Sequence, residues 1–179
     1  MENNTKKFHV WRRTKDFFKS LAIILVALAL SAGICFSKTV LEFEKMKSLV
    51  GEWKGTSMDK KPVTVAYTLV SDNSALMEKL AISGESEMVT MYYPDGDSLM
   101  MTHYCSAHNQ PRMRSLTAST ETKRITFEFV DVTNLSSPDA GHMKKLVVTF
   151  ADGDHFTQEW TWTQKGKEKT EVIDFERMK

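Results

Sequence analysis

The chain reads as an all-β protein: a closed, antiparallel, up-and-down barrel of about ten strands, preceded by one short helix. Three observations carry that reading. From Gly51 onward apolar residues recur with period two, turn signals recur every eleven to sixteen residues, and no second helical pattern interrupts them. A meander of this length has two edges to protect, and closing the sheet on itself removes both. Successive short hairpins favour pairing between chain neighbours over the crossed connections of a sandwich. So many strands enclose more space than side chains alone fill, so a cavity is expected inside.

The first element is an address label. Residues 1–20 are basic, carrying Lys6, Lys7, Arg12, Arg13, Lys15 and Lys19 against Glu2 and Asp16. Leu21–Gly33 follow, almost wholly apolar, with small residues at the end. That is the layout of an export signal. The apolar run is short of the roughly twenty residues a membrane span needs, which favours cleavage over an uncleaved anchor. Small residues fit cleavage after Ser31, Gly33 or Ser37. Ile34 before Cys35 argues against a lipoprotein signal, and the distance from Arg12-Arg13 to Phe17-Phe18 argues against twin-arginine export. The expected organisation is therefore an export signal over 1–37 and a barrel domain over 38–179, in the periplasm or secreted.

The barrel domain opens with Thr39-Val40-Leu41-Glu42, which has the form of a capping box. Phe43, Met46 and Leu49/Val50 then recur at helical spacing over two to three turns, and Gly51 ends the helix. Turn signals follow at Asp59–Pro62, Ser71–Ser74, Ser83–Ser86, Asp95-Gly96, Ser106–Gln110, Thr120–Lys123, Ser136–Gly141, Asp152-Gly153 and Lys165-Gly166. They delimit strands at about 51–58, 62–70, 74–82, 87–93, 97–105, 111–119, 124–132, 142–151, 154–164 and 167–177. The short helix is expected to plug one end. Asn134–Gly141, the longest irregular stretch, is placed at the mouth as a lid.

Composition excludes some functions. The full chain has 24 basic and 23 acidic residues; losing residues 1–37 removes six and two of these, leaving a charge near −3. A weakly acidic domain without an extended Lys/Arg patch has no electrostatic footprint for nucleic acid. Contact with a membrane is expected only through the N-terminal segment, if it is uncleaved. Cleavage after Ser37 leaves Cys105 alone, so the fold must be held by its core rather than by disulfides.

Gly51-Glu52-Trp53 sits at the helix-to-strand junction, and Arg177 lies on the last strand, which must pair beside the first. A guanidinium stacked on the Trp53 indole would close the barrel. This pairing resembles that of the lipocalin and fatty-acid-binding superfamily, the calycins, and implies a structural role for both residues. Glu87–Tyr92, Thr102-His103-Tyr104-Cys105 and Asn109–Met113 resemble motifs of an uncharacterised bacterial family, small and often exported, with a lipocalin-like barrel. The resemblance covers about 41–177 and includes Phe127–Asp131, Asn134, His142-Met143 and Asp154-His155. It implies the fold and no substrate.

The candidate site lies inside the barrel. His103 and Cys105 share a strand face with Leu99 and Met101, and Glu78 shares one with Leu76, Leu80 and Ile82. A carboxylate on an apolar face needs a partner or a raised pKa. Arg112 or Arg114 is expected to neutralise it, and His142 is placed on the face of Leu146 and Val148. Met101, Met113 and Trp160, with Trp162, are expected to supply apolar contact. Glu78, Met101, His103, Cys105, Arg112, Met113, His142 and Trp160 are thus the candidate ligand-binding residues. A Cys–His nucleophile also needs an oxyanion site, which nothing indicates. The histidines and Cys105 lack compact zinc spacing, and one interior histidine is no haem signature. No cofactor is identified. The leading expectation is an exported barrel holding a small, largely apolar molecule; the alternatives are an enzyme using Glu78, His103, Cys105 and Arg112, or a structural envelope protein without a ligand.

Overall fold

In the computed structural model, which describes residues 38–116 and 123–179, ten strands form a closed antiparallel barrel. The helix α1 spans Lys38–Lys47, and the strands are β1 Gly51–Thr56, β2 Pro62–Val70, β3 Ala75–Ile82, β4 Met88–Asp95 and β5 Ser98–Tyr104. They continue as β6 Gln110–Ser115, β7 Arg124–Thr133, β8 His142–Phe150, β9 His155–Gln164 and β10 Lys167–Arg177. Each strand pairs with its chain neighbours, and β10 returns to β1 to close the sheet. Residues 1–37 and the end of the expected sixth strand lie outside the described residues.

Alternation does what the pleat requires: β2 buries Val63, Val65 and Tyr67 and turns the residues between them outward. Two positions break it. An irregularity in the β6/β7 register falls between Arg112 and Met113, and another in β8 between Met143 and Lys145. Each inserts an extra residue and resets which side chains face in.

Turn chemistry is mixed. Lys165 and Gly166 both adopt left-handed conformations (φ 50° and 70°), as a two-residue hairpin twisting with its strands requires. Asp152-Gly153 departs from the expected tight turn. Gly153 is not left-handed; the loop is wider, with the Ala151 N–H donating to the His155 carbonyl.

The helix and the turn after it close one end by burying Phe43, Met46 and Leu49. The capping box does not form as read: Thr39 lies within the helix, and its buried Oγ1 has no hydrogen-bond partner among the described residues. Glu42 instead accepts from Ser115 Oγ at 2.7 Å, and that same oxygen receives the Leu99 N–H at 3.0 Å. Beside this plug, Trp53 donates its indole N–H to the Leu49 carbonyl at 2.7 Å. Arg177 lies 4.0 Å over the indole and donates to the Val50 and Ser48 carbonyls, both at 2.9 Å. One side chain thereby ties the last strand to the turn between helix and first strand. Gly51, at φ 125°, makes that turn, and a Cβ there would stand 3.0 Å from the Arg177 guanidinium.

The expected hollow is corrected. Leu76, Tyr92, Met101, Met113, Phe127, Leu146 and Val148 are wholly buried, so side chains fill the middle of the barrel. Aromatic rings pack the interior: Trp53 meets Phe156 edge-on at 4.7 Å, Phe156 stacks on its cross-strand neighbour Phe175 at 4.8 Å, and Tyr92 lies 5.6 Å from Phe127. Open space remains at the end opposite the helix.

Candidate functional site

The interior carries one extended polar cluster, and Glu78 is its centre. The carboxylate is 0 % exposed. Its Oε2 accepts hydrogen bonds from Tyr67 Oη (2.6 Å), Tyr92 Oη (2.8 Å) and Gln158 Nε2 (2.8 Å), and its Oε1 from Thr90 Oγ1 (3.3 Å). Strand register brings these groups together: Glu78 lies opposite both Tyr67 and Thr90 in its two ladders, and Tyr92 follows Thr90 on the same face. Gln158 comes from β9, across the lumen. Its orientation is fixed from behind, because Trp160 Nε1 donates to Gln158 Oε1 at 3.0 Å, leaving the amide hydrogens for Glu78 and Tyr67 Oη.

Burial raises the Glu78 pKa above the ordinary carboxylate range, and the four donors oppose that shift. Both tyrosines are held well above the usual phenol value, first by burial and then by the charge of Glu78, so they remain donors. The carboxylate is met by neutral dipoles. Arg112, expected as its counter-ion, points outward and makes a two-pronged pair with Asp131; Arg114 is likewise exposed. On β6 the buried positions are Pro111, Met113 and Ser115, so the alternation that buries the methionine excludes both arginines. Burying a guanidinium would have added a second desolvation cost.

His103 extends the cluster toward the mouth. Its Nδ1 lies 2.9 Å from Thr90 Oγ1, its cross-strand neighbour, and its ring lies 4.8 Å from that of Trp160. The residue is 1 % exposed, and Nε2 has no hydrogen-bond partner among the described residues. Burial pushes the imidazole pKa down to about 4, so the ring is neutral near neutral pH.

A concavity of about 270 Å³ lies at the barrel mouth, lined by Cys105 and Trp162 and not by His103 or Trp160 themselves. Ile82, Met88, Cys105, Met143 and Trp162 give it apolar walls, and Lys61, Glu85, Lys169 and Glu171 a charged rim. Cys105 and Trp162 are one inward-facing step along the strands from His103 and Trp160, so the histidine and indole form the layer directly beneath. Cys105 is half-buried, and its backbone is tied into a turn by Asn109 and His108. Asn109 also donates from Nδ2 to the Gly141 carbonyl at 2.9 Å, fastening the Asn134–Gly141 stretch to the rim. A Cβ at Gly141 would fall 1.9 Å from the Trp162 ring, so the backbone there lies flat against that indole.

The other expected site residues fall elsewhere. Met101 and Met113 face each other across β5 and β6, wholly buried in the packed middle. His142 is not on the face of Leu146 and Val148, because the β8 irregularity displaces the alternation. Met143 takes the position opposite Trp162, while His142 pairs opposite Thr163, lies tilted 5.0 Å from the Phe129 ring and contacts the Ala140 carbonyl. Tyr67, Thr90, Tyr92 and Gln158 were missed as cluster members. Each shares an inward face with apolar residues, and a buried phenol always seeks a partner, which was the available signal. Among the described residues, no three His, Cys, Asp or Glu side chains assemble as a metal-ligand group.

No protein-family profile and no curated protein sequence matches the chain. Among solved structures it resembles the crystal structure of Rv2717c from M. tuberculosis, with a TM-score of 0.53 at 13% identity, over 77% of this chain and 98% of that one. A protein of unknown function from the DUF3598 family of Nostoc punctiforme aligns over 74% of this chain and 49% of its own, with a TM-score of 0.49 at 13% identity. At 13% identity the likeness to Rv2717c is one of fold.

Proposed function

We propose that this is an exported binding protein whose barrel mouth takes a small, largely apolar molecule carrying one hydrogen-bond donor. The buried, unpartnered Nε2 of His103 beneath an open, Met- and Trp-lined concavity carries this reading. A neutral imidazole with Nδ1–H turned to Thr90 presents a lone pair at Nε2, and an orphaned buried acceptor costs free energy that a ligand donor recovers. Met88 and Met143, unbranched and pliable, turn aside to admit a flat molecule, and Trp162 supplies a stacking face. Because the middle is filled, the reading puts the proposed ligand at the mouth and not in the deep interior that the sequence suggests. Export rests on the basic and apolar N-terminal segment.

Calorimetric titration with indole and with indene, which differ in one N–H, tests the site. Indole is expected to bind about three- to tenfold more tightly, the range for one neutral hydrogen bond. His103→Phe is expected to abolish that preference. Equal affinities for the wild type, or binding of neither compound, would overturn the reading.

A further inference from the structure

Glu78, Thr90 and His103 form a chain of hydrogen bonds, 3.3 Å and 2.9 Å long, from the middle of the barrel to the layer beneath the mouth, with the Tyr92 hydroxyl as a second neighbour of Thr90. The heavy-atom positions admit two arrangements of protons. With Glu78 ionised, the Thr90 hydroxyl donates to Oε1, its oxygen accepts the His103 Nδ1–H, and Nε2 is a bare acceptor. With Glu78 protonated, the extra proton sits on Oε1, because Tyr67, Tyr92 and Gln158 already aim hydrogens at Oε2. The carboxylic O–H then donates to Thr90, Thr90 donates to Nδ1, and the ring proton sits on Nε2.

We infer that Glu78, Thr90 and His103 are a proton relay that sets whether Nε2 accepts or donates in the buried layer beneath the mouth. Glu78 and Thr90 thereby determine the polarity of the ligand: donor-bearing when Glu78 is ionised, acceptor-bearing when it is protonated. The steps balance. One proton is taken up at Nε2, the Nδ1 proton passes to Thr90, and the Thr90 proton passes to Glu78. The result is one proton gained, no buried cation, and the buried negative charge removed. Among the described residues, the Tyr92 oxygen is the alternative acceptor for the Thr90 proton, and Tyr92 itself donates to Glu78. Tyr67 on β2 and Tyr92 on β4 are donors to Glu78, β9 offers Gln158 and Trp160 as its polar groups beside the chain, and β1, β10, β6, β7 and β8 face inward with Trp53, Ile173, Phe175, Met113, Phe127, Leu146 and Val148, while the helix's Glu42 is engaged with Ser115. Cys105 lies one step nearer the rim. The directions of titration agree, since Glu78 is shifted toward holding a proton and His103 toward refusing a second one.

The relay itself is tested without a ligand, by ¹⁵N-correlated NMR of the His103 ring between pH 9 and pH 5. The ring is expected to pass from the Nδ1–H to the Nε2–H tautomer on acidification without becoming cationic. Thr90→Val should remove the pH dependence. Glu78→Gln, whose amide donates permanently to Thr90, should fix the Nε2–H form throughout. An unchanging wild-type tautomer, or a switch that survives in either variant, would overturn the relay. The ligand polarity rests on the binding reading above and is tested separately: preference for indole at high pH should invert to preference for the acceptor 1-indanone at low pH. A tautomer switch with an unaltered preference would reject the binding reading and leave the relay standing.

Discussion

His103 is a residue whose chemistry is set by where it is buried. Its pKa falls from 6.5 to about 4 because the protonated ring would have to leave water. The folded protein therefore binds fewer protons than the unfolded chain between those values. Stability from this group is complete above pH 6.5 and is lost as pH falls toward 4. The loss is about 3 kcal/mol on the linkage relation. Glu78 has the opposite sign: its raised pKa means its contribution is present at low pH and declines as pH rises above the unfolded value. The terms separate by difference. Urea unfolding of the wild type and of His103→Gln, at pH 7 and pH 4, should show the wild type losing about 3 kcal/mol more than the variant on acidification. Parallel losses would mean that His103 is protonated in the fold without strain.

At the scale of elements, the closing pair β1/β10 is held by a side-chain tie as well as by its ladder. Trp53 is anchored by the Leu49 carbonyl and covered by Arg177, which holds the Ser48 and Val50 carbonyls. These carbonyls follow the helix and have no partner within it. Trp53→Ala is expected to cost about 3–5 kcal/mol, the range for a buried large aromatic. Its measure is denaturant unfolding, and an unchanged midpoint would show that the ladder alone closes the barrel. The irregularities in β6/β7 and β8 work differently, re-aiming residues near the mouth.

At the scale of the molecule, closure joins residues more than a hundred positions apart, with Trp53 opposite Arg177. The cost in loop entropy grows only slowly with that separation and is met once, when the last strand docks. The closed ladder leaves no edge for another chain. Among the described residues no helix is long and apolar enough to cross a membrane. The expected mature chain begins after Ser31, Gly33 or Ser37, and N-terminal sequencing of the protein recovered from its own host reads this directly. A start at Met1 with the chain retained in the membrane would establish an anchor.

The sequence alone determined the barrel, since period-two alternation and regularly spaced turns are local properties of the chain. It placed the strands close to their observed bounds and paired Trp53 with Arg177, because the first and last strands of a closed meander must meet. It also identified Glu78 and His103 as inward-facing, since each shares a parity with apolar neighbours. Tertiary structure decided the rest. Which donors meet a buried carboxylate depends on register across several strands and on reach across the lumen, so the partners proved to be Tyr67, Tyr92, Thr90 and Gln158 in place of Arg112. A single inserted residue in β8 reverses every parity beyond it, which moved His142 off the inner face and put Met143 there. Whether the lumen is hollow depends on the summed volume of side chains from all ten strands, a quantity no local pattern contains.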